Sequence, residues 1–249
     1  NINKRLIPLL SILFVLLAVS INSSCSHKNE SDVKNVVKTE LDQLKNLDSE
    51  TTQKYIPYTE LFPDATENTD LSDEITETFS LFFRKFDYKI SDVSISAENN
   101  SATVSVKLTT INSQILARDF KTELLQTQIT EAAQAQTGST KDSSRSLEAH
   151  YLILNHLLNT NEYDTAETNC SIQLVNTGNN KKEKWKIQRT NSLEDDLVGG
   201  LIADLADPDI LSPEDTLTVY LDTLEKLDLK EMSSYLGVVN IMNTSDSSK

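Results

Sequence analysis

Residues able to carry chemistry are few in this chain, and they are scattered. It holds two cysteines and three histidines in 249 residues. His150 and His156 are six positions apart, about 240° around a helix, so they do not share a face on which a metal could sit. No His-Glu-x-x-His or Cys-x-x-Cys spacing occurs, so neither a metal ligand set nor a cofactor is expected. Asp204, Asp207 and Asp209, followed by Glu214, superficially suggest a calcium loop. Pro208 interrupts that run, however, and Asp209 stands where such a loop turns on glycine. A solvated acidic linker is the better reading. Gly199-Gly200 is far from a phosphate-binding loop and marks a helix kink or a close packing contact. No serine sits in Gly-x-Ser-x-Gly, and none can be paired with a His or an Asp. Cys170 falls on an alternating apolar pattern, where a thiol packs as a small apolar side chain. No catalytic residue is assigned.

The other cysteine, Cys25, closes the leader. Lys4 and Arg5 precede an almost wholly apolar run from Leu6 to Val19, and Ser23-Ser24-Cys25 follows. Charged, apolar and small residues in that order form a secretory signal. The apolar run of about 14 residues would reach roughly 21 Å as a helix, short of a bilayer core of about 30 Å. Pro8 inside the run also suits a cleaved signal better than a spanning helix. The ending resembles the lipobox of bacterial lipoproteins, with Ser23 and Ser24 in pattern and Asn22 where the pattern has Leu. That resemblance implies a thioether-linked diacylglycerol on Cys25 and acylation of the palmitate kind. Two acyl chains suffice for stable anchoring. The segments expected are a signal over 1–24 and a lipidated tether over 25–31, on the extracytoplasmic face of a cell membrane. Cleavage after Ala18-Val19-Ser20, giving a secreted chain, and an uncleaved anchor stay open beside it.

Composition narrows the partners. Lys and Arg number 23 against 38 Asp and Glu, a net charge of −15. Loss of Lys4 and Arg5 with a leader makes the mature chain more acidic still. Nucleic acid is therefore not an expected partner, since phosphate binding needs a basic footprint. A bare anionic lipid surface is disfavoured for the same reason. With Cys25 lipidated, Cys170 has no intrachain partner and no disulfide framework exists.

Periodicity then places the elements. Val33, Val36, Val37, Leu41, Leu44 and Leu47 recur at helical spacing, with Ser31 or Asp32 placed to cap the start. Asp48 turns the chain into a second short helix carrying Tyr55 and Ile56. Ser72 opens a third, with Ile75, Phe79, Phe82, Phe83 and Phe86 on its apolar side. The period changes at Tyr88, Ile90, Val93 and Ile95, where a phase slip at Ser91-Asp92 predicts a bulge. Glu98-Asn99-Asn100 turns into Ala102, Val104, Val106 and Leu108, completing a hairpin. A long helix follows from Ser113 to near Gly138, with Ile115, Leu116, Phe120, Leu124 and Ile129 inward. Another carries Leu147, Tyr151, Leu154, Leu157 and Leu158. Ala166 to Leu174 and then Trp185 with Ile187 predict a second hairpin. Leu193, Leu197, Leu201 and Leu205 predict a helix weakened by Gly199-Gly200.

Helices segregated against a small antiparallel sheet of two hairpins define an α+β class. The element order, the Phe-rich third helix, the strand Ala102-Thr103-Val104-Ser105-Val106 and the Lys184-Trp185-Lys186-Ile187 strand resemble nuclear transport factor 2-like domains. Those domains occur in many bacterial lipoproteins, and the resemblance covers roughly residues 32–206, with a helical insertion from Ser113 to Thr160. It implies a cone-shaped cavity that Tyr55, Phe79, Phe82, Phe83, Tyr88 and Trp185 could line. Core filling is the plainer role for these six.

The chain also repeats itself. At an offset of 180 positions, Leu41, Asp42, Leu44, Leu47, Asp48 and Tyr55 meet Leu221, Asp222, Leu224, Leu227, Asp228 and Tyr235. Residues 207–249 therefore read as a linker and the opening helices of a second copy. The function expected is a membrane-anchored, non-catalytic binding or interaction module. Its partner is an envelope protein or another copy met through the C-terminal helices, and its ligand is unknown. The alternative is a small-molecule-binding protein or an isomerase or dehydratase working in the cavity.

Overall fold

A computed structural model describes residues 29–56, 58–66, 72–135, 144–178 and 184–227. The signal, Cys25 and the start of the tether lie outside the described residues, as do Gly138, Asp228 and Tyr235. Among the described residues there are eight α-helices and a single four-stranded antiparallel sheet, an α+β architecture.

Helix α1 covers residues 29–45, so Ser31 and Asp32 sit inside it and neither caps its start. It buries Val33, Val37, Leu41 and Leu44, the face its spacing predicted. It ends where Leu47 takes a left-handed φ of 59°, a role glycine usually fills. The N–H groups of Leu47 and Asp48 then reach back to the carbonyls of Leu44 and Gln43. Asp48 caps α2 (Ser49–Tyr55) by accepting from the backbone N–H of Thr51. A single 3₁₀ turn (Tyr58–Leu61) leads on to α3 (Ser72–Phe82).

Strands β1 (Asp87–Ile95) and β2 (Ser101–Ile111) form the first hairpin, with the predicted bulge between Ile90 and Asp92. The bulge keeps the apolar side continuous, since Ile90 opposes Val106 and Val93 opposes Val104. Helices α4 (Ser113–Ala135) and α5 (Leu147–Thr160) intervene before β3 (Thr165–Asn176) and the three-residue β4 (Trp185–Ile187). The two expected hairpins are thus one sheet in the order β1-β2-β3-β4, joined where β2 pairs β3. Ala102, Val104 and Val106 lie opposite Leu174, Ile172 and Cys170, and all six are buried on one face. The other face carries the Lys107–Glu167 ion pair and the Thr103–Gln173 hydrogen bond in solvent. One wet face and one dry face is the usual economy of an antiparallel sheet.

The helices cover the dry face. Helix α3 packs on α5, and α4 packs on α5, while α6 (Asn191–Leu197) lies against β2 and β3. The predicted apolar set of α5 is buried, as are Phe79, Phe82, Phe83 and Phe86 of the set read for α3, of which the last two follow the helix, while Ile75 is half-buried. In α4, Leu116 and Phe120 are buried but Ile115 faces solvent, contrary to its predicted inward position. Adjacent positions on a helix are about 100° apart, so Ile115 cannot share the inward side fully occupied by Leu116. Helix α7 (Leu201–Ala206) follows α6, and α8 (Pro213–Lys226) lies against α4.

Candidate functional site

The six aromatic residues expected at a cavity lie on α2, on α3 and the turn that follows it, on β1 and on β4. Phe79 and Phe82 leave α3 toward Phe83, with ring centroids 6.3 and 5.3 Å from it, and Phe86 lies 5.2 Å beyond. All four are at most 5 % exposed, so these rings pack against one another as core. Tyr55 is buried on α2 beside the Glu40 carboxylate, with the Lys54 ammonium 4.8 Å above its ring. Trp185 is buried on β4. Tyr88 stands apart from the other five on the edge strand β1, where its hydroxyl donates to Asp42 of α1 at 2.5 Å.

Tertiary folding builds a second aromatic nest that helical and strand periods alone could not reveal. Phe62, from the loop before α3, stacks on Phe120 at 5.1 Å and meets the edge of Tyr151 at 5.3 Å. His150 closes the nest 5.0 Å from Phe62, with Nδ1 2.7 Å from the Ser146 carbonyl. Burial pushes its imidazole below the usual histidine value. Its partner at six positions, His156, lies exposed on α5, so the two histidines form no pair. Tyr151 donates to the Tyr58 carbonyl at 2.8 Å.

The polar groups that come together do so around Gly199-Gly200. Both glycines have positive φ, 69° and 89°, and they break the predicted helix into α6 and α7. A Cβ on Gly199 would lie 2.2 Å from Thr110 Oγ1, so the pair marks both a kink and a close contact with β2. Ser113 Oγ lies 2.6 Å from the Gly199 carbonyl and 2.6 Å from Asp204 Oδ2. Asp195 Oδ1 accepts from the N–H groups of Ile202 and Ala203, capping α7 from the previous helix. The buried Glu194 pairs with Arg189, which also reaches Glu60 on the 3₁₀ turn at 3.7 Å. Contact with the Glu194 carboxyl raises Glu60 above the ordinary carboxylate range. The Ser113–Asp204 and Arg189–Glu60 links join residues far apart along the chain, so nothing in the local sequence signals them.

This hub ties the α6–α7 region to β2, α4 and the 3₁₀ turn through paired polar groups. Burial, with Asp196 beside it, pushes the Cys170 thiol up to about 12, so it stays protonated at neutral pH. Tyr163 is likewise raised to about 12, by burial above all and by the Asp119 carboxylate that its hydroxyl faces. Asp204 is committed to Ser113, and Asp207 accepts from the Asp209 N–H in a turn, as suits a linker rather than a cation loop. Among the described residues no cluster of three or more His, Cys, Asp or Glu side chains could hold a metal ion. No described helix is long and apolar enough to cross a membrane.

The hollows among the described residues include two away from the core. One, of about 400 Å³, lies between the start of α1 and the β1 bulge, bordered by Ser31, Lys34, Ser91 and Asp92. The other, of about 290 Å³, lies between α4 and the α7–α8 connection, bordered by Lys121, Leu124, Gln128, Asp207, Ile210 and Thr216. None of the six predicted aromatics lines either one. The chain matches no family model, no curated protein and no solved structure.

Proposed function

We propose that this chain is a lipoprotein held on the extracytoplasmic face of a cell membrane through Cys25. Its α+β domain, of the nuclear transport factor 2-like kind, acts there as a non-catalytic binding or interaction module. The observation that carries the reading is the leader, in which Lys4-Arg5, the Leu6 to Val19 run and Ser23-Ser24-Cys25 follow in order. The packing of the folded part favours the non-catalytic half. Five of the six aromatics that could have walled a cavity are buried. The thiol of Cys170 and the phenols of Tyr55, Tyr88, Tyr151 and Tyr163 are all raised, by burial first of all, away from the range useful for proton transfer at neutral pH. Residues 207–249 start a second copy of the opening helices, supported by the Leu41/Leu221, Leu44/Leu224 and Asp42/Asp222 matches.

The test is a Cys25→Ala chain in a host that lipidates such proteins. Wild type takes up a labelled fatty acid and sediments with membranes, and Cys25→Ala does neither. A wild-type chain retained on the membrane without label would mean an uncleaved anchor and would overturn the lipoprotein reading.

A further inference from the structure

Helix α8 packs a small, mixed side against its neighbour and presents an apolar one to solvent. Its packed side holds the buried Thr223 and the half-buried Val219, with Thr216 on the hollow against α4. About a third of a turn away, Leu217, Tyr220 and Leu221 stand 58, 46 and 54 % exposed at i, i+3 and i+4 spacing. The internal repeat says what such a face is for. Leu217 and Leu221 match Val37 and Leu41 of α1, which are 0 and 3 % exposed in the core. Two positions that α1 buries are thus exposed on α8, while Leu224, which matches the buried Leu44, is half-buried. The helix does not depend on covering it, because Ser212 caps the start and Pro213 fills the first turn.

We infer that this face of α8 docks a second protein, an amphipathic helix with an apolar ridge and basic side chains along one flank. This rests on the reading of the chain as an interaction module and names its partner's chemistry. Charge selects that occupant. Glu214 lies one turn before Leu217 and Glu225 one turn after Leu221, so both border the same edge of the stripe, and both are exposed. Lys226 is the only basic residue of the helix, and the chain carries a net charge of −15. A second copy would bring a body of the same −15 net charge against the stripe, and an anionic bilayer would be repelled. A basic-flanked ridge gains both contacts, with apolar burial supplying affinity and the charges setting orientation and partner choice.

The probe is a synthetic amphipathic helix with a leucine ridge and lysine flank, titrated by fluorescence anisotropy into the full chain. A twin with a glutamate flank is the control. The lysine peptide binds one per chain, and the paired change Leu217→Ser, Leu221→Ser weakens it at least about tenfold while the circular dichroism spectrum is unchanged. Glu214→Lys with Glu225→Lys reverses the preference, so that the glutamate peptide now binds better. Unchanged affinity in the serine variant would overturn the proposal, since the lysine peptide would then be answering net charge alone. Sedimentation of the full chain as a dimer that the serine variant abolishes would also overturn it, making a second copy the occupant. So would protection of Leu217→Cys from alkylation in the unmixed chain, which would mean that the chain covers its own stripe. Fatty-acid labelling of the serine variant stays at the wild-type level in every case, which separates failure of docking from failure of the anchor.

Discussion

At Gly199 the backbone, the neighbour and the function of the residue converge on hydrogen as the only tolerable side chain. A left-handed φ costs a non-glycine residue about 1–2 kcal/mol, and overlap with a stiff neighbour adds about 1–3 kcal/mol. Gly199→Ala therefore lowers stability by roughly 2–5 kcal/mol in a denaturant titration. Gly200→Ala carries only the backbone part, because its nearest contact would be Ser113 Oγ at an ordinary 3.7 Å. Equal losses at the two sites would show that the Thr110 contact is unimportant. Trp185→Ala removes a buried ring at the sheet edge, at a cost of about 3–5 kcal/mol and on the order of 10 °C in Tm. Acid stability tests the surface carboxylates. Asp42 is held below its ordinary range by the Lys38 ammonium and then the Tyr88 hydroxyl, and Asp87 by Lys45 above all. A depressed folded pKa gives stability that is present above the unfolded value, near 4, and is lost as pH falls through the folded one. Asp42→Asn thus flattens the loss of stability below about pH 4. Glu123 has the opposite sign, since burial raises it. Its contribution is full at low pH and lost as pH rises through the raised pKa, so Glu123→Gln raises Tm near neutrality and leaves it unchanged at pH 3.

Elements were legible in the sequence wherever one face alone had to be apolar. The bulge shows this best: the slip at Ser91-Asp92 was visible because a half-buried strand must return Val93 to the side of Ile90. The buried rows of α3, α5, β2 and β3 were readable for the same reason. Helix α4 was read less well, because its neighbours change along its length from α5 and α7 to α8, and no single stripe serves them all. The end of α1 carries no glycine signal, since Leu47 takes the left-handed turn itself. The polar hub was illegible altogether. Ser113 with Asp204 and Asp195 with the start of α7 depend on where Gly199-Gly200 folds the chain back, and Arg189 meets Glu60 only across the fold. Phe62, Phe120 and His150 likewise meet only in three dimensions.

On the scale of the whole molecule the described elements make an α+β body whose dry sheet face is covered by helices. Two features carry the proposed function: the stretch from Lys4 to Cys25, proposed as a leader, and helix α8, whose exposed stripe repeats part of the pattern of α1. The account stands most directly on the first, because a tethered module and a secreted or membrane-spanning protein differ in their mature N-terminus. Intact mass spectrometry of the protein extracted from its membrane reads that terminus. The expected product begins at Cys25 and carries a thioether-linked diacylglycerol. A product beginning after Ser20 without lipid, or one that retains the Leu6 to Val19 run, would contradict it.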